Sequence, residues 1–450
     1  MIIPHWPIYT GPNKDFKDTI KRTKTILYQL GSPQNKMKNI IHITGTKGKG
    51  STALYISNIL LASGYKVNTY TSPHIFECNE RILLNGKQVS DEEIFMTTEK
   101  IRIICEEGKH KDNPIEPAMF EAMTCTAFDI MARNDADFNV IEVGMGAIND
   151  ATNVFDDNPP IACVFTPIHI DHKKFLGNSV EEVAYNKSFL IKKGVKNVIL
   201  SSQCKEVKQV LKNIAEKFEV ENFYSYQDNY EAFLNEDEPS QPIYENKTFD
   251  CLFPFQAPNM SGDYQLVNCA CAITTCLACK CDKVSIKTIN EGIKNTFHIV
   301  RMQQITDEIL LKQLPKESLF YVDGAHNQLA SHALANWIKD FKQTKQDYKI
   351  AIAVARTKGA DNEVFLKEFL QNNKPIVDLL IATRANLESI PEPPENIEEA
   401  GRKIGLKTTI AYNIGEVIEK TSKFFKKKTL LICTGSLYIA RDIKNNIQNY

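Results

Sequence analysis

The 450-residue chain has almost no net charge: 54 lysines and arginines against 55 aspartates and glutamates leave −1. That balance removes the general electrostatic case for a nucleic-acid or anionic-membrane partner, and neither is expected. The chain also lacks any run of 18 uninterrupted apolar residues, the length a spanning helix needs. Its first residues, Met1-Ile2-Ile3-Pro4-His5-Trp6-Pro7, show no basic region followed by a long apolar segment, so no signal peptide is expected. No repeat of fixed period is apparent. The twelve cysteines are scattered, without the spacing of a small disulfide framework. In so long a chain they read as reduced thiols, and a cytoplasmic location is the default. What is present, 43% hydrophobic and 24% charged residues, describes a globular protein with ample core, and the length asks for two or three domains.

One stretch organises the rest: the apolar run Ile40-Ile41-His42-Ile43, then Thr44-Gly45-Thr46-Lys47-Gly48-Lys49-Gly50-Ser51-Thr52, then an amphipathic segment over 53–62. Strand, glycine-rich turn and helix in that order build a phosphate cradle. Glycines let backbone N–H groups approach phosphate oxygens, and the first helical turn adds its positive dipole end. Lys49 would lie against the β- and γ-phosphates, with Ser51 or Thr52 near Mg²⁺. The strict pattern G-x-x-x-x-G-K-S/T is not met, because Ile43 stands at the first Gly and Gly50 follows the Lys. A tight strand-to-helix corner with no ligand is the plainer alternative.

Helical spacing over 15–30 stops at Gly31-Ser32-Pro33. Strands are expected at 66–71, 138–143, 161–166 and 198–200, and helices at 91–105, 117–131, 179–191, 205–218 and 265–279. Ser90 with Glu93 forms a capping box for the first of these helices. The acidic, proline-punctuated stretch 223–258 reads as an irregular insertion or a small sheet. A second series begins at 318, with strands at 319–322, 350–355, 377–381 and 429–434 and helices at 328–341, 361–370 and 436–445. Residues 390–394 read as a loop. Alternating strands and helices mean α/β architecture with doubly wound parallel sheets, divided into domains at 1–297 and 298–450.

Several strand ends carry chemistry-bearing residues, and ligands gather there in open α/β sheets. Glu142 could hold Mg²⁺, or cap and salt-bridge locally. His169-Ile170-Asp171-His172 could ligate a metal or be polar loop residues. Asp323-Gly324-Ala325-His326-Asn327 suits a binding turn, or an Asp/Asn turn with no ligand. Cys269, Cys271, Cys276, Cys279 and Cys281 invite a metal reading. Yet Leu266, Cys269, Ala270, Ile273, Cys276 and Leu277 share one helical face, so core packing is expected.

Together these pieces resemble the folylpolyglutamate synthases and dihydrofolate synthases of the Mur ligase superfamily. The loop at 44–51 is similar to the family's T/A-G-T-N/K-G-K-G-S, in the Lys47 form of eukaryotic folylpolyglutamate synthases. Thr71-Ser72-Pro73-His74 matches TSPH, and Glu80-Arg81-Ile82 matches ERI. Glu142-Val143-Gly144-Met145-Gly146, ending in Asp150-Ala151-Thr152-Asn153, resembles E-V-G-x-G through D-A-T-N. Ile170-Asp171-His172 with Leu176-Gly177, Asn268, Arg301, Asp323 to Asn327, and Thr434-Gly435-Ser436-Leu437-Tyr438 follow in family order. The sequence departs from the family at Ala147-Ile148-Asn149, Tyr264, Ile299-Val300 and Ser188-Phe189, changes that bear on pterin specificity more than on ATP chemistry.

The resemblance implies an N-terminal P-loop parallel-sheet domain, a C-terminal Rossmann-like α/β domain, and a site between them. It implies an ATP-dependent amide ligase that phosphorylates a carboxylate of a pteridine substrate for attack by glutamate. The expected acceptor is a (tetrahydro)folate extended at its γ-carboxyl; dihydropteroate, alone or in the same site, is the alternative, and a non-catalytic nucleotide-binding protein a remoter one. ATP would be held by Gly48, Lys49, Gly50, Ser51, Asn268, Arg301 and Asp323, and Mg²⁺ by Ser72, Glu142 and His172. His326 and Ser436 would hold glutamate; Phe120 and Glu121 would contact the folate. Lys49, Lys187 and His172 would be catalytic, with Lys187 a candidate for carbamylation and a monovalent cation a further candidate ligand. A monomer acting on small molecules is expected.

Overall fold

The computed structural model describes residues 16–107, 115–235, 238, 241–260, 262, 264–297, 300, 302–385 and 391–448. These divide into two compact units, one within 1–259 and 263–297, the other within 260–262 and 298–450.

The first unit is built on eight strands: β1 (Ile40–Thr44), β2 (Val67–Tyr70), β3 (Ile82–Leu84), β4 (Lys87–Gln88), β5 (Phe138–Glu142), β6 (Ala162–Phe165), β7 (Asn197–Leu200) and β8 (Asn222–Ser225). Their order is β4-β3-β2-β5-β1-β6-β7-β8. Six strands run parallel, and the β3–β4 hairpin adds an antiparallel edge. Every residue of β1, β2, β5, β6 and β7 is buried. Helices cover both faces of a parallel sheet, so its strands read as continuous apolar runs and not as alternation.

The helix after the glycine-rich turn, Lys49–Ala62, corrects the amphipathic expectation. Tyr55, Ile56, Ile59 and Leu60 are buried along with Ser51, Thr52 and Ser57. The helix packs on the sheet strands β1, β2 and β5 and also against helices Tyr264–Ala278 and Ile286–Lys294. The contact is close: a Cβ on Gly292 would lie 2.6 Å from the Ile59 Cα and N. A helix enclosed on two sides has no polar face to show. Cys269 and Cys276 are buried as their shared helical face implied; Cys271, off that face, is buried too, beside Tyr230 of the strand Tyr230–Phe233.

Elsewhere the differences are local. The expected helix over 179–191 ends at Lys187 and tightens into the turn Ser188–Leu190. Of the two readings for 223–258 the small sheet is the one found, a three-stranded antiparallel sheet of β9 (Tyr230–Phe233), β10 (Ile243–Asn246) and β11 (Cys251–Pro254), while its first residues supply β8 to the main sheet. Ser90 caps as expected, its Oγ accepting from the Glu93 N–H at 3.1 Å.

The second unit holds β12 (Gln303–Gln304), β13 (Leu319–Val322), β14 (Lys349–Val354), the β15–β16 hairpin (Leu370–Gln371, Lys374–Pro375), β17 (Leu379–Ala382), β18 (Thr408–Ile410) and β19 (Thr429–Thr434). Its sheet runs β12-β13-β19-β14-β17-β18, parallel except for the edge pair β12–β13. The hairpin shortens the expected helix over 361–370 to Asn362–Lys367. The final helix begins at Ile439, three residues later than its sequence implied. Pro394, read as loop, opens the helix Pro394–Lys403, since a first-turn proline gives up only an N–H that has no helical partner.

Candidate active site

In the first unit β1 lies between β5 and β6, with Ile43 level with Glu142 and Thr44 level with Phe165. The chain leaves β1 for β2, which lies beyond β5, so the carboxyl ends of these central strands open a crevice. The glycine-rich turn occupies it. Gly45 takes φ +149 because any Cβ there would sit 1.9 Å from Thr166 Oγ1 and 2.7 Å from the Thr166 carbonyl. The turn is latched to the loop after β6: the Thr46 N–H donates to the Pro167 carbonyl at 2.9 Å, and the His169 N–H donates to Thr46 Oγ1 at 3.0 Å.

Two lysines converge on this turn. Lys187 Nζ donates to the Gly45 carbonyl at 2.8 Å, and Lys49 Nζ reaches the same oxygen at 3.3 Å. Lys187 is only 3% exposed. Burial, with the Lys49 charge beside it, pulls its pKa down to about 7, against the opposing influence of Asp150 and Asp171. Two amines thus crowd one carbonyl, and the crowding together with burial leaves Lys187 only partly charged near neutral pH.

Gly48 caps the helix with φ 82, and a Cβ there would meet Asn268 Oδ1 at 2.7 Å, so Asn268 sits directly over the turn. Gly48, Lys49, Gly50, Ser51, Asn268 and Lys187 therefore share one place. Ser72 and Glu142 join its rim from adjacent strands, the Ser72 N–H donating to Glu142 Oε2 at 2.9 Å. Glu142 is 4% exposed. A serine hydroxyl and a carboxylate are hard oxygen donors, which fits Mg²⁺. His172 stands apart in character: it begins the short helix after β6 in left-handed conformation, φ 47, and is exposed. Among the described residues no group of three or more His, Cys, Asp and Glu is placed to hold a metal ion.

Beyond Glu142 the loop is braced from within. Asp150 accepts from the N–H groups of Met145 (2.8 Å) and Thr152 (2.9 Å), and burial raises its pKa. Asn186 Oδ1 accepts from the Ala147 N–H at 3.1 Å. The Phe120 ring lies against Gly144, 2.6 Å from where a Cβ would stand. Both Glu121 oxygens are taken by Arg22, at 2.8 and 2.6 Å, while Oε2 also accepts from the Ala118 N–H that starts the helix.

The second unit has its own strand-end cluster. Asp323 follows β13; its Oδ2 accepts from the Met302 N–H and its Oδ1 from the Ala325 N–H, both at 2.9 Å. The Gly435 N–H donates to the Ala325 carbonyl at 2.8 Å, bringing the turn at 323–327 beside Ser436 after β19. The His326 ring meets the Gly324 carbonyl at 2.8 Å through Nδ1, which must carry the proton because a carbonyl only accepts. Asp323, His326 and Ser436 are thus brought together, whereas Arg301 lies outside the described residues. Sequence reasoning missed Asn186 and Arg356. Asn186 had a signal in its place beside Lys187; Arg356, which donates to the His326 carbonyl at 2.7 Å, had only its position after a strand.

The model of the Mur ligase middle domain matches residues 43–276, just over half of the chain. The chain belongs to the Mur ligase family. A second model, the dihydrofolate synthetase C-terminal domain, matches residues 308–446. A probable dihydrofolate synthetase of Schizosaccharomyces pombe is 29% identical over 429 residues, 94% of this chain and 97% of that one. The dihydrofolate synthase/folylpolyglutamate synthase of Bacillus subtilis is 28% identical, over 96% of this chain and 95% of that one. The crystal structure of folylpolyglutamate synthase from Thermotoga maritima superposes with a TM-score of 0.77 at 25% identity, covering 95% of this chain and 93% of that one. Within the Mur ligases the chain falls in the folylpolyglutamate synthase and dihydrofolate synthase branch, and it is an ATP-dependent ligase that forms a C–N bond.

Proposed function

We propose that this chain joins the amino group of L-glutamate to a carboxylate of a pteridine-bearing acceptor, a reduced folate extended at its γ-carboxyl. The observation that carries the reading is the pair Lys49 and Lys187 turned onto the Gly45 carbonyl within a glycine-rich helix start. A carboxylate resists attack by an amine because its charge repels the nucleophile and oxide is a poor leaving group. Transfer of the ATP γ-phosphoryl to the carboxylate oxygen gives an acyl phosphate and ADP. The glutamate nitrogen then bonds to the acyl carbon, the C–O bond to phosphate breaks, and the nitrogen releases its proton. Lys49 and the amides of Gly48 to Ser51 would neutralise the charge on the transferring phosphoryl group.

Ser72 and Glu142 would hold Mg²⁺ from the first strand ends, with His172 a third ligand; when bound, the ion would supply further neutralisation of phosphate charge. At a pKa of about 7 a large share of Lys187 is neutral near neutral pH, the form in which an amine adds to carbon dioxide, and we assign it as the carbamylation site. Asn268, Arg301 and Asp323 would contact ATP; His326 and Ser436 would hold glutamate. Phe120 would face the acceptor, and Glu121, its oxygens engaged by Arg22 and the helix start, would keep Phe120 in place. No described helix is long and apolar enough to cross a membrane, and all twelve cysteines are free thiols, which supports a reducing cytoplasm.

Dihydropteroate as acceptor is the second reading. It is favoured by the matched C-terminal domain model and by the name of the Schizosaccharomyces pombe relative. Glutamate-dependent ADP release, measured side by side with tetrahydrofolate and dihydropteroate, separates the two. Turnover with neither would overturn the proposed function.

A further inference from the structure

Arg356 follows β14 and is 3% exposed. Its guanidinium donates to the His326 carbonyl at 2.7 Å and to the Asp361 carbonyl at 3.3 Å, and lies 4.2 Å over the Phe365 ring. Its Nε is buried and has no hydrogen-bond partner among the described residues. It makes no ion pair with a described carboxylate; Asp361 and Glu392 act on it only through space, and burial draws its pKa down to about 10, so it stays charged at neutral pH. A buried cation with one orphan N–H is a costly way to fill a core position, and an unbranched apolar side chain would fill it at lower cost. What the planar fork does that no apolar group can is hold two carbonyls at once, one in the turn at 323–327 and one in the loop at 356–361. The first of those carbonyls belongs to His326, whose ring is already tied to Gly324. The loop is held in turn by Glu392, which accepts from the Gly359 N–H at 3.2 Å and donates its own N–H to the Arg356 carbonyl at 2.8 Å.

We propose that Arg356 is the positioning residue for His326, and that through His326 it sets how tightly the amino-acid substrate is held. This rests on the reading of His326 and Ser436 as the glutamate contacts.

Arg356→Met and Arg356→Lys test it, with steady-state kinetics in each substrate and a melting curve for each protein. Arg356→Met should raise KM for glutamate by roughly tenfold and leave KM for ATP within about twofold. Arg356→Lys, which keeps the charge and loses the fork, should fall between Met and wild type. In a His326→Ala background, Arg356→Met should add little, because the residue it positions is gone. A glutamate KM within twofold of wild type, equal rises in both KM values, or full additivity with His326→Ala would overturn the inference. So would failure of both variants to fold, which would assign Arg356 to stability alone. Wild-type turnover is measured first: its absence would overturn the glutamate reading, whereas active wild type with an unshifted Arg356→Met would overturn only the role of Arg356.

Discussion

The two units carry strand-end clusters of opposite construction. In the first, two lysine amines converge on a carbonyl: Lys49 and Lys187 both reach Gly45 O, in a turn whose glycines admit no side chain. In the second, an anion is wrapped by amides: each Asp323 oxygen accepts a backbone N–H, and a buried arginine donates to the turn's His326 carbonyl. The first sets two amines and a glycine-rich helix start at one strand end and is suited to phosphate. The second is organised internally and is suited to presenting fixed groups. Similar parallel sheets thus support two kinds of basin, and the loops at the strand ends decide which.

The sharpest break in this comparison is Lys49→Ala. Removing that cation should lower kcat by roughly 10²–10³-fold with the melting temperature little changed; near-normal turnover would sink the phosphate-loop assignment. Next come the two glycines that let each turn close. Gly45→Ala puts a Cβ 1.9 Å from Thr166 Oγ1, and Gly435→Ala puts one 2.1 Å from the Ala355 carbonyl at φ +95. Each should cost about 2–3 kcal/mol in chemical denaturation; a neutral Gly45→Ala would mean that the turn is looser than its packing requires.

Lys187→Met tests the buried amine. The folded pKa of about 7 lies below the ordinary lysine value of 10.5, so the unfolded chain binds more protons between those two pH values. Stability from this group therefore rises with pH from about 7 to 10.5, and its penalty is full below 7. The variant should melt higher than wild type at pH 6, by roughly 2–4 °C, and the gap should narrow by pH 10. A gap that does not vary with pH would count against a depressed lysine. Smallest is Asp323→Asn, which keeps an oxygen for one amide and leaves the other facing an NH₂. A loss of about 1–2 kcal/mol is expected in urea unfolding, and no loss would show that the turn does not depend on the carboxylate.

Much of the first cluster could be read in advance. The apolar run at 40–43 followed by glycines and Lys49 has one economical local structure, because strand, turn and helix start are all short-range events. Glu142 and Asp323 were legible as strand-end carboxylates for the same reason. The functional branch was legible only from many motifs in one order, and the comparisons with known proteins agree with it. Less was legible wherever packing from another part of the chain decides. The helix Lys49–Ala62, expected to be amphipathic, is apolar on every side, which is the mark of a buried helix; what stayed hidden was that two helices more than 200 residues later pack against it. The stretch at 223–258 left an irregular insertion and a small sheet both open, because short strands with alternating burial carry weak patterns.

By itself, then, the sequence determined the local chemistry: where glycine must stand, where a lysine follows a strand, where serine can cap a helix. Those depend on backbone conformation and on neighbours within a few residues. Only the tertiary structure decided that Lys187, 142 residues beyond Gly45, donates to its carbonyl, that Asn268 covers Gly48, and that Arg356 holds His326. Each of those contacts joins separate strand ends of one sheet, or a helix to a strand-end turn. Sheet order and helix packing set them through the burial of apolar surface, which is non-directional and leaves no short-range mark in the chain.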